Sequence, residues 1–221
     1  MPTQAVNTDT QTSHAPSQSS GASSGPSPGL SEEQAWRAGA YALLAALLRT
    51  APDQAVLDHV AGLDQQGGKV ENEILVSLSM LALSARSISP AEVEDEYHAL
   101  FIGLGRGELV PYGSWYQTGF LMEKPLGLLR DDLAALGFQR DESVKEPEDH
   151  VAALCEVMSM LIGEVADEQK QQAFFDNHMS GWISKFLDDL SNARSAVFYQ
   201  SVARFGAAFF ALEKRYLSLP V

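Results

Sequence analysis

The chain is predicted to be all-α. Three observations predict it. Apolar residues recur at helical spacing from about residue 31 to the C-terminus, several stretches begin with recognisable capping residues, and no segment shows the sustained alternation of a half-buried strand. No internal repeat of fixed period interrupts this pattern.

The elements follow in order. Residues 1–29 are rich in Ser, Thr, Gln, Pro and Gly and contain no Lys or Arg. Such a segment buries too little apolar surface to offset its ordering entropy, so it is expected to be a disordered tail. It has neither the basic start nor the apolar run of a secretory signal. Ser31 with Gln34 reads as a capping box, and Trp36, Ala40, Leu43, Leu44, Leu47 and Leu48 then form an apolar stripe. Pro52 is expected to open a short helix carrying Val56, Leu57 and Val60. Gly67 and Gly68 break the chain before a third helix with Ile74, Leu75, Leu78, Leu81 and Ala82. Ser89, Pro90 and Glu92 make the clearest helix start, followed by Val93, Tyr97, Leu100 and Phe101 on one face. Gly103, Gly105 and Gly107 end that helix and open a loop to about Gly113. Leu126, Leu129, Leu133 and Leu136 mark the next helix, with Gly137 as its C-terminal cap. After a polar stretch, Pro147 is expected to start a helix bearing Val151, Leu154, Cys155, Met158 and Leu161. Three more helices follow, marked by Phe174 and Phe175, by Trp182, Ile183 and Phe186, and by Val202, Phe205, Phe209 and Leu212. The expected organisation is a tail (1–29), an N-terminal helical half (30–138), a hinge (139–146) and a C-terminal helical half (147–221).

Composition limits the function. Among 221 residues, Lys+Arg 15 stand against Asp+Glu 29, a formal net charge of −14. That balance argues against nucleic-acid binding, which needs surplus Lys and Arg, and against docking on an anionic leaflet. It suits a partner that carries positive charge. Almost all of the charge lies in the helical body, because the tail carries only Asp9. The single cysteine, Cys155, forms neither an internal disulfide nor a Cys-based zinc site, which fits a reducing compartment. No stretch approaches the ~18 apolar residues of a membrane span. A cytoplasmic location is therefore expected.

Motifs for chemistry are sparse. Gly103, Gly105 and Gly107 have the wrong spacing for a dinucleotide loop, follow a helix rather than a strand, and lack a phosphate-binding lysine. Asp95 and His98 are the nearest approach to the Glu-x-x-His of a di-iron bundle, and no second copy exists. Cys155 lies on an apolar face, and no nucleophile elbow is present. A helical nucleotide- or metal-binding enzyme is the alternative that these weak signals leave. Two runs are more informative. Glu146-Pro147-Glu148-Asp149-His150 reads as a helix start with proline first and acids against the positive end of the dipole. That reading accounts for Pro147, Glu148 and Asp149 but less well for Glu146 and His150, which can form a polar contact point in a groove. Pro111-Tyr112-Gly113-Ser114-Trp115-Tyr116 puts three aromatics into a loop. These either pack on the core or line a peptide groove.

At these residues the sequence resembles the TorD/DmsD family of redox-enzyme maturation chaperones. The family's Tyr-x-x-Leu-Phe helix end appears as Tyr97, Leu100 and Phe101, followed by Gly103. Its Pro-x-x-Ser-x-Tyr loop appears as Pro111, Ser114 and Tyr116, its Glu-Pro-x-Asp-His signature as Glu146, Pro147, Asp149 and His150, and its His-x-x-x-Trp pattern as His178 and Trp182. The matches run from about Trp36 to Leu212. The resemblance implies a chaperone with no catalytic residues and no cofactor or metal of its own. Its partner would be an apo-oxidoreductase that uses molybdenum or tungsten cofactor, bound often at its twin-arginine leader and held until cofactor is inserted. The resemblance places Glu146, Pro147, Asp149 and His150 in the leader- or client-binding region, with Tyr112, Trp115 and Tyr116 near it. Residues 94–126 look most like the branch encoded with formate dehydrogenases, which makes a formate dehydrogenase catalytic subunit the expected client. A hinge between helical halves also permits domain swapping into a homodimer.

A twin-arginine leader has a basic pair followed by an apolar, helix-prone stretch. A helical chaperone can take the apolar part in a groove and face the basic part with carboxylates. Asp149 is the expected charged contact, with Glu146 or Glu148 contributing. His150 is expected to orient Asp149 or donate to the peptide, with a protonation state adjustable near neutral pH.

Overall fold

A computed structural model describes residues 29–63, 73–140, 144–165 and 167–219. Among the described residues it holds ten α-helices and no strand, only one isolated β-bridge. The helices are α1 (Glu32–Arg49), α2 (Gln54–Gly62), α3 (Glu73–Arg86), α4 (Pro90–Tyr97), α5 (Gly113–Thr118), α6 (Lys124–Ala135), α7 (Val151–Met160), α8 (Glu168–His178), α9 (Ile183–Ser191) and α10 (Phe198–Leu217). α4 and α7 each run on into a wider π-turn, His98–Ile102 and Leu161–Val165. The all-α expectation stands. The expected tail, apart from Gly29, and the Gly67-Gly68 break lie outside the described residues, as do residues 141–143 of the expected hinge.

Local chemistry sets several helix starts. Ser31 and Gln34 form the capping box of α1, and Ser89 and Glu92 that of α4, with Pro90 at the first position. Gly137 takes φ +85° just beyond α6, a backbone that side chains rarely adopt. The 103–107 loop is tight. A Cβ on Gly103 would meet the Arg106 carbonyl oxygen at 2.1 Å, and one on Gly107 the Leu100 carbonyl oxygen at 2.5 Å. The glycines serve close backbone approach at a helix end.

Three expected boundaries need correction. Pro52 does not open α2, because Asp53 caps it and the helix begins at Gln54. Residues 113–118 are helical rather than loop. Pro147 does not start α7. Residues 147–149 form a turn, and the helix begins at Val151. The reason is non-local. His150 is held extended (φ −63°, ψ 136°) by its bridge to Tyr112, so the helix starts only after it.

The core is shared by both stretches of the chain. α1 packs on α7 and α10, and α3 packs on α10. Tyr41, Leu44 and Leu47 of α1 are fully buried, and the Tyr41 ring meets Phe209 edge-on at 4.8 Å. Arg37 also points inward, while Trp36, expected on the stripe, is partly exposed and only edges Phe209. Arg37 is tolerated there because Glu213 of α10 accepts from its Nε at 2.9 Å and from its Nη2 at 2.6 Å. Gln171 Oε1 also accepts from Nη2, at 3.0 Å. The guanidinium lies 4.1 Å above the Tyr216 ring. A fork-shaped pair of this kind balances the two charges away from water, although the buried Arg37 Nη1 has no hydrogen-bond partner among the described residues. Glu96 of α4 solves a second problem. Val197, at the start of α10, has no side-chain oxygen, and the buried Glu96 carboxylate accepts instead from the backbone N–H groups of Val197, Phe198 and Tyr199 at 2.7–3.0 Å.

Candidate functional site

The site is built around the entry to α7. Gly113 donates its N–H to the Asp149 carbonyl at 2.9 Å, and Val151 donates to the Pro111 carbonyl at 2.9 Å. These bonds make the antiparallel bridge between Tyr112 and His150. They join the Pro111 and Glu146 motifs into one unit.

Asp149 is buried, with 3% exposure, and Ser114 donates its N–H to Asp149 Oδ2 at 2.7 Å. Asp149 therefore caps α5 from 35 residues further along the chain. The direct charged contact expected of Asp149 does not fit this burial: Oδ2 takes the Ser114 N–H, and Oδ1 is enclosed without a hydrogen-bond partner among the described residues. His150 is buried too. Its Nδ1 accepts from the Ala152 N–H at 3.2 Å and so caps α7. Burial lowers its pKa to about 4, against the opposing pull of the Glu146 charge. The imidazole is neutral at pH 7, so the expectation of an adjustable proton near neutrality is corrected.

Tyr112 sets its ring edge-on to His150 at 5.1 Å and donates its hydroxyl to Glu146. Burial and then this carboxylate push the phenol well above its ordinary range. Glu146 is exposed and keeps lone pairs open to solvent. Glu148 is already engaged. Arg130 of α6 donates to its Oε2 from Nε at 3.0 Å and Nη2 at 2.8 Å, and Arg140 approaches Oε1 at 3.6 Å. Burial raises the Glu148 carboxyl, but the Arg130 contacts outweigh it and the net shift is downward.

Beside this unit, between α6 and α7, lies a cavity of about 350 Å³. Its apolar surface comes from Leu133, Ala134, Phe138, Val157 and Met160. Its rim carries charge of both signs, with Pro147 and Glu146 at the edge, Arg130 and Arg140 against Glu148, and Arg49 against Glu156. Three arginines and three glutamates balance, so the rim is a neutral frame and not an acidic well. Among the described residues, no group of three His, Cys, Asp or Glu side chains is arranged to hold a metal ion.

The structure thus brings together Tyr112, Glu146, Pro147, Asp149 and His150. Trp115 and Tyr116 face elsewhere. The Arg106 guanidinium covers Trp115 at 4.6 Å, and Tyr116 stacks on Trp182 at 5.5 Å and meets Phe186 edge-on at 5.9 Å. Both anchor α5 and neither lines the cavity. Sequence reasoning missed Arg130, Phe138, Val157 and Met160. The helical stripe of α6 and the polar stretch after it were the available signals, but only packing shows that they frame one space.

Residues 64–188 match the family model described as nitrate reductase delta subunit. The chain is 30% identical over 147 residues to the chaperone protein TorD of Vibrio parahaemolyticus serotype O3:K6 (strain RIMD 2210633), covering 61% of this chain and 68% of that protein. It is 27% identical over 203 residues to the chaperone protein TorD of Vibrio atlanticus (strain LGP32), covering 82% of this chain and 94% of that one. A crystal structure of an Archaeoglobus fulgidus protein described as a redox enzyme maturation protein superposes with a TM-score of 0.53 at 16% identity, over 85% of this chain and 99% of that chain, a likeness of fold. Among the described residues, no single helix is long and apolar enough to cross a membrane. The chain belongs to the TorD family of redox-enzyme maturation chaperones, which are not enzymes.

Proposed function

We propose that this chaperone works in the cytoplasm on an apo-oxidoreductase that takes a molybdenum or tungsten cofactor, and that it grips the client's leader at the cavity between α6 and α7. The observation that carries the reading is the cavity itself: an apolar space of about 350 Å³ with Glu146 exposed at its mouth. The apolar part of a leader fills the space, and its basic pair meets Glu146. Asp149 and His150 serve by holding Tyr112 and Glu146 in place, and Trp115 and Tyr116 by seating α5. The balanced rim suits reversible binding, because no uncompensated buried charge clamps the peptide. Release to the export machinery requires that reversibility.

The resemblance of residues 94–126 to the formate-dehydrogenase-associated branch makes a formate dehydrogenase catalytic subunit the first client to test. Affinity capture of the full chain from its native host, followed by identification of the co-purifying protein, tests it. Recovery of an apo-formate dehydrogenase subunit supports the assignment. Recovery of a different cofactor-dependent oxidoreductase corrects the client and keeps the chaperone role. The oligomeric state follows from light scattering of the same preparation, with a homodimer expected if the halves exchange across residues 139–146.

A further inference from the structure

His178 belongs to a motif that the proposed function leaves without a task. We propose that His178 is a positioning residue that holds two parts of the client site, the α6 cavity wall and the helix α5, in one arrangement; this rests on the leader-binding reading above. The imidazole is buried, and its Nε2 lies 2.7 Å from Asp132 Oδ2 on α6. The residues directly after Asp132, Leu133 and Ala134, line the cavity, as does Arg130 before it. Through its backbone the same histidine reaches α5. Its carbonyl accepts from the Trp182 indole N–H at 2.7 Å. The indole stacks under Tyr116 and lies against Gly113, where an added Cβ would sit 3.2 Å from Nε1. Gly113 in turn donates to the Asp149 carbonyl. An unbroken run of contacts therefore joins Asp132 to Asp149, with His178 as the residue that touches both branches. The Phe174 ring at 5.0 Å backs the imidazole and limits its tilt. A ring donor is suited to this place because a buried, rigid N–H fixes distance and direction to a half-exposed carboxylate.

Three variants test the inference in the full chain: His178→Phe, which keeps the ring and removes the donor, His178→Gln, which retains a donor, and Asp132→Ala, which removes the half-exposed acceptor. Amide hydrogen exchange reads α5 and α6 directly, and calorimetric titration with a synthetic twin-arginine leader peptide reads the site. Exchange across both Gly113–Thr118 and Lys124–Ala135 is expected to rise about tenfold in His178→Phe and Asp132→Ala. Peptide affinity is expected to fall about tenfold, equivalent to about 1.4 kcal/mol, with His178→Gln returning toward wild type in both. Faster exchange in α6 with α5 unchanged overturns the coupling. So does a lowered melting midpoint with peptide affinity untouched, the mark of a merely structural role. If the wild-type chain does not bind the peptide, the leader-binding reading fails, and the exchange measurement alone then decides whether His178 couples α5 to α6.

Discussion

Replacing Asp149 by alanine exposes the weakest joint of the site. α5 has six residues, too few to sustain a helix by its own hydrogen bonds. Tyr112 at its N-cap position offers no side-chain bond to the helix, so the Asp149 carboxylate supplies the cap through the 2.7 Å bond to the Ser114 N–H. Both partners are buried. Removing the carboxylate leaves a buried donor unpaired and loses a bond to a charged acceptor. The two descriptions together span about 1–3 kcal/mol of unfolding free energy. For a domain of this size that corresponds to a fall in melting temperature of roughly 2–12 °C. Urea titration followed by circular dichroism measures it, with the slope unchanged if the unfolded state is unaltered. Leader-peptide affinity should fall in parallel, because Tyr112, the bridge partner of His150, is the residue that leads into α5. Asp149→Asn separates positioning from charge. Its amide oxygen still accepts from Ser114 while the negative charge is gone, so it should keep most of the peptide affinity. An Asp149→Ala protein that melts with the wild type refutes the anchoring role. An Asp149→Asn protein that is stable yet loses as much affinity as Asp149→Ala refutes the assignment of the charge contact to Glu146.

Two further predictions concern protons and salt. The folded pKa of His150, about 4, lies below its ordinary value of 6.5, so the unfolded chain binds a proton that the folded chain refuses between those limits. Its contribution is present above pH 6.5 and is lost as pH falls toward 4, by about 3 kcal/mol in all. His150→Asn, which retains a capping acceptor, should flatten that part of the stability–pH curve, and an unchanged slope would show that another group carries it. Glu146→Gln should weaken leader binding up to about fivefold, the range of an exposed ion pair, and should remove most of the loss of affinity with rising ionic strength. A wild-type affinity that does not respond to salt would mean that binding is purely apolar.

Helices whose starts are made by neighbouring residues were legible in the sequence. The Ser31–Gln34 and Ser89–Glu92 boxes and the Gly137 stop need only three or four residues to be recognised. Those set by distant residues were not. α10 begins where Glu96, about a hundred residues earlier, meets its N–H groups, and α5 forms because Asp149 caps it from 35 residues downstream. Pro147 has the local chemistry of a helix start, yet the bridge between Tyr112 and His150 overrides it. Periodicity put Trp36 on the buried stripe and ignored Arg37, because a stripe counts only apolar residues and Glu213 lies 176 positions away. The same limit governs the site. The Glu146 and Pro111 motifs are legible as separate runs, but their meeting at the Tyr112–His150 bridge and the exposure that separates Glu146 from Asp149 arise only on folding.

The cavity between α6 and α7 can be filled without disturbing the core. Ala134 is solvent-exposed on α6 and lines that space, so Ala134→Trp should close it while the helix stays intact. Calorimetric titration of the wild-type and Ala134→Trp chains with the client's leader peptide tests client binding at this place most directly. The predicted result is measurable binding by the wild type and at least about a tenfold loss, equivalent to ~1.4 kcal/mol, in a variant with wild-type melting behaviour. Equal affinity in the two proteins would show that the leader binds elsewhere and would contradict the assignment of the site.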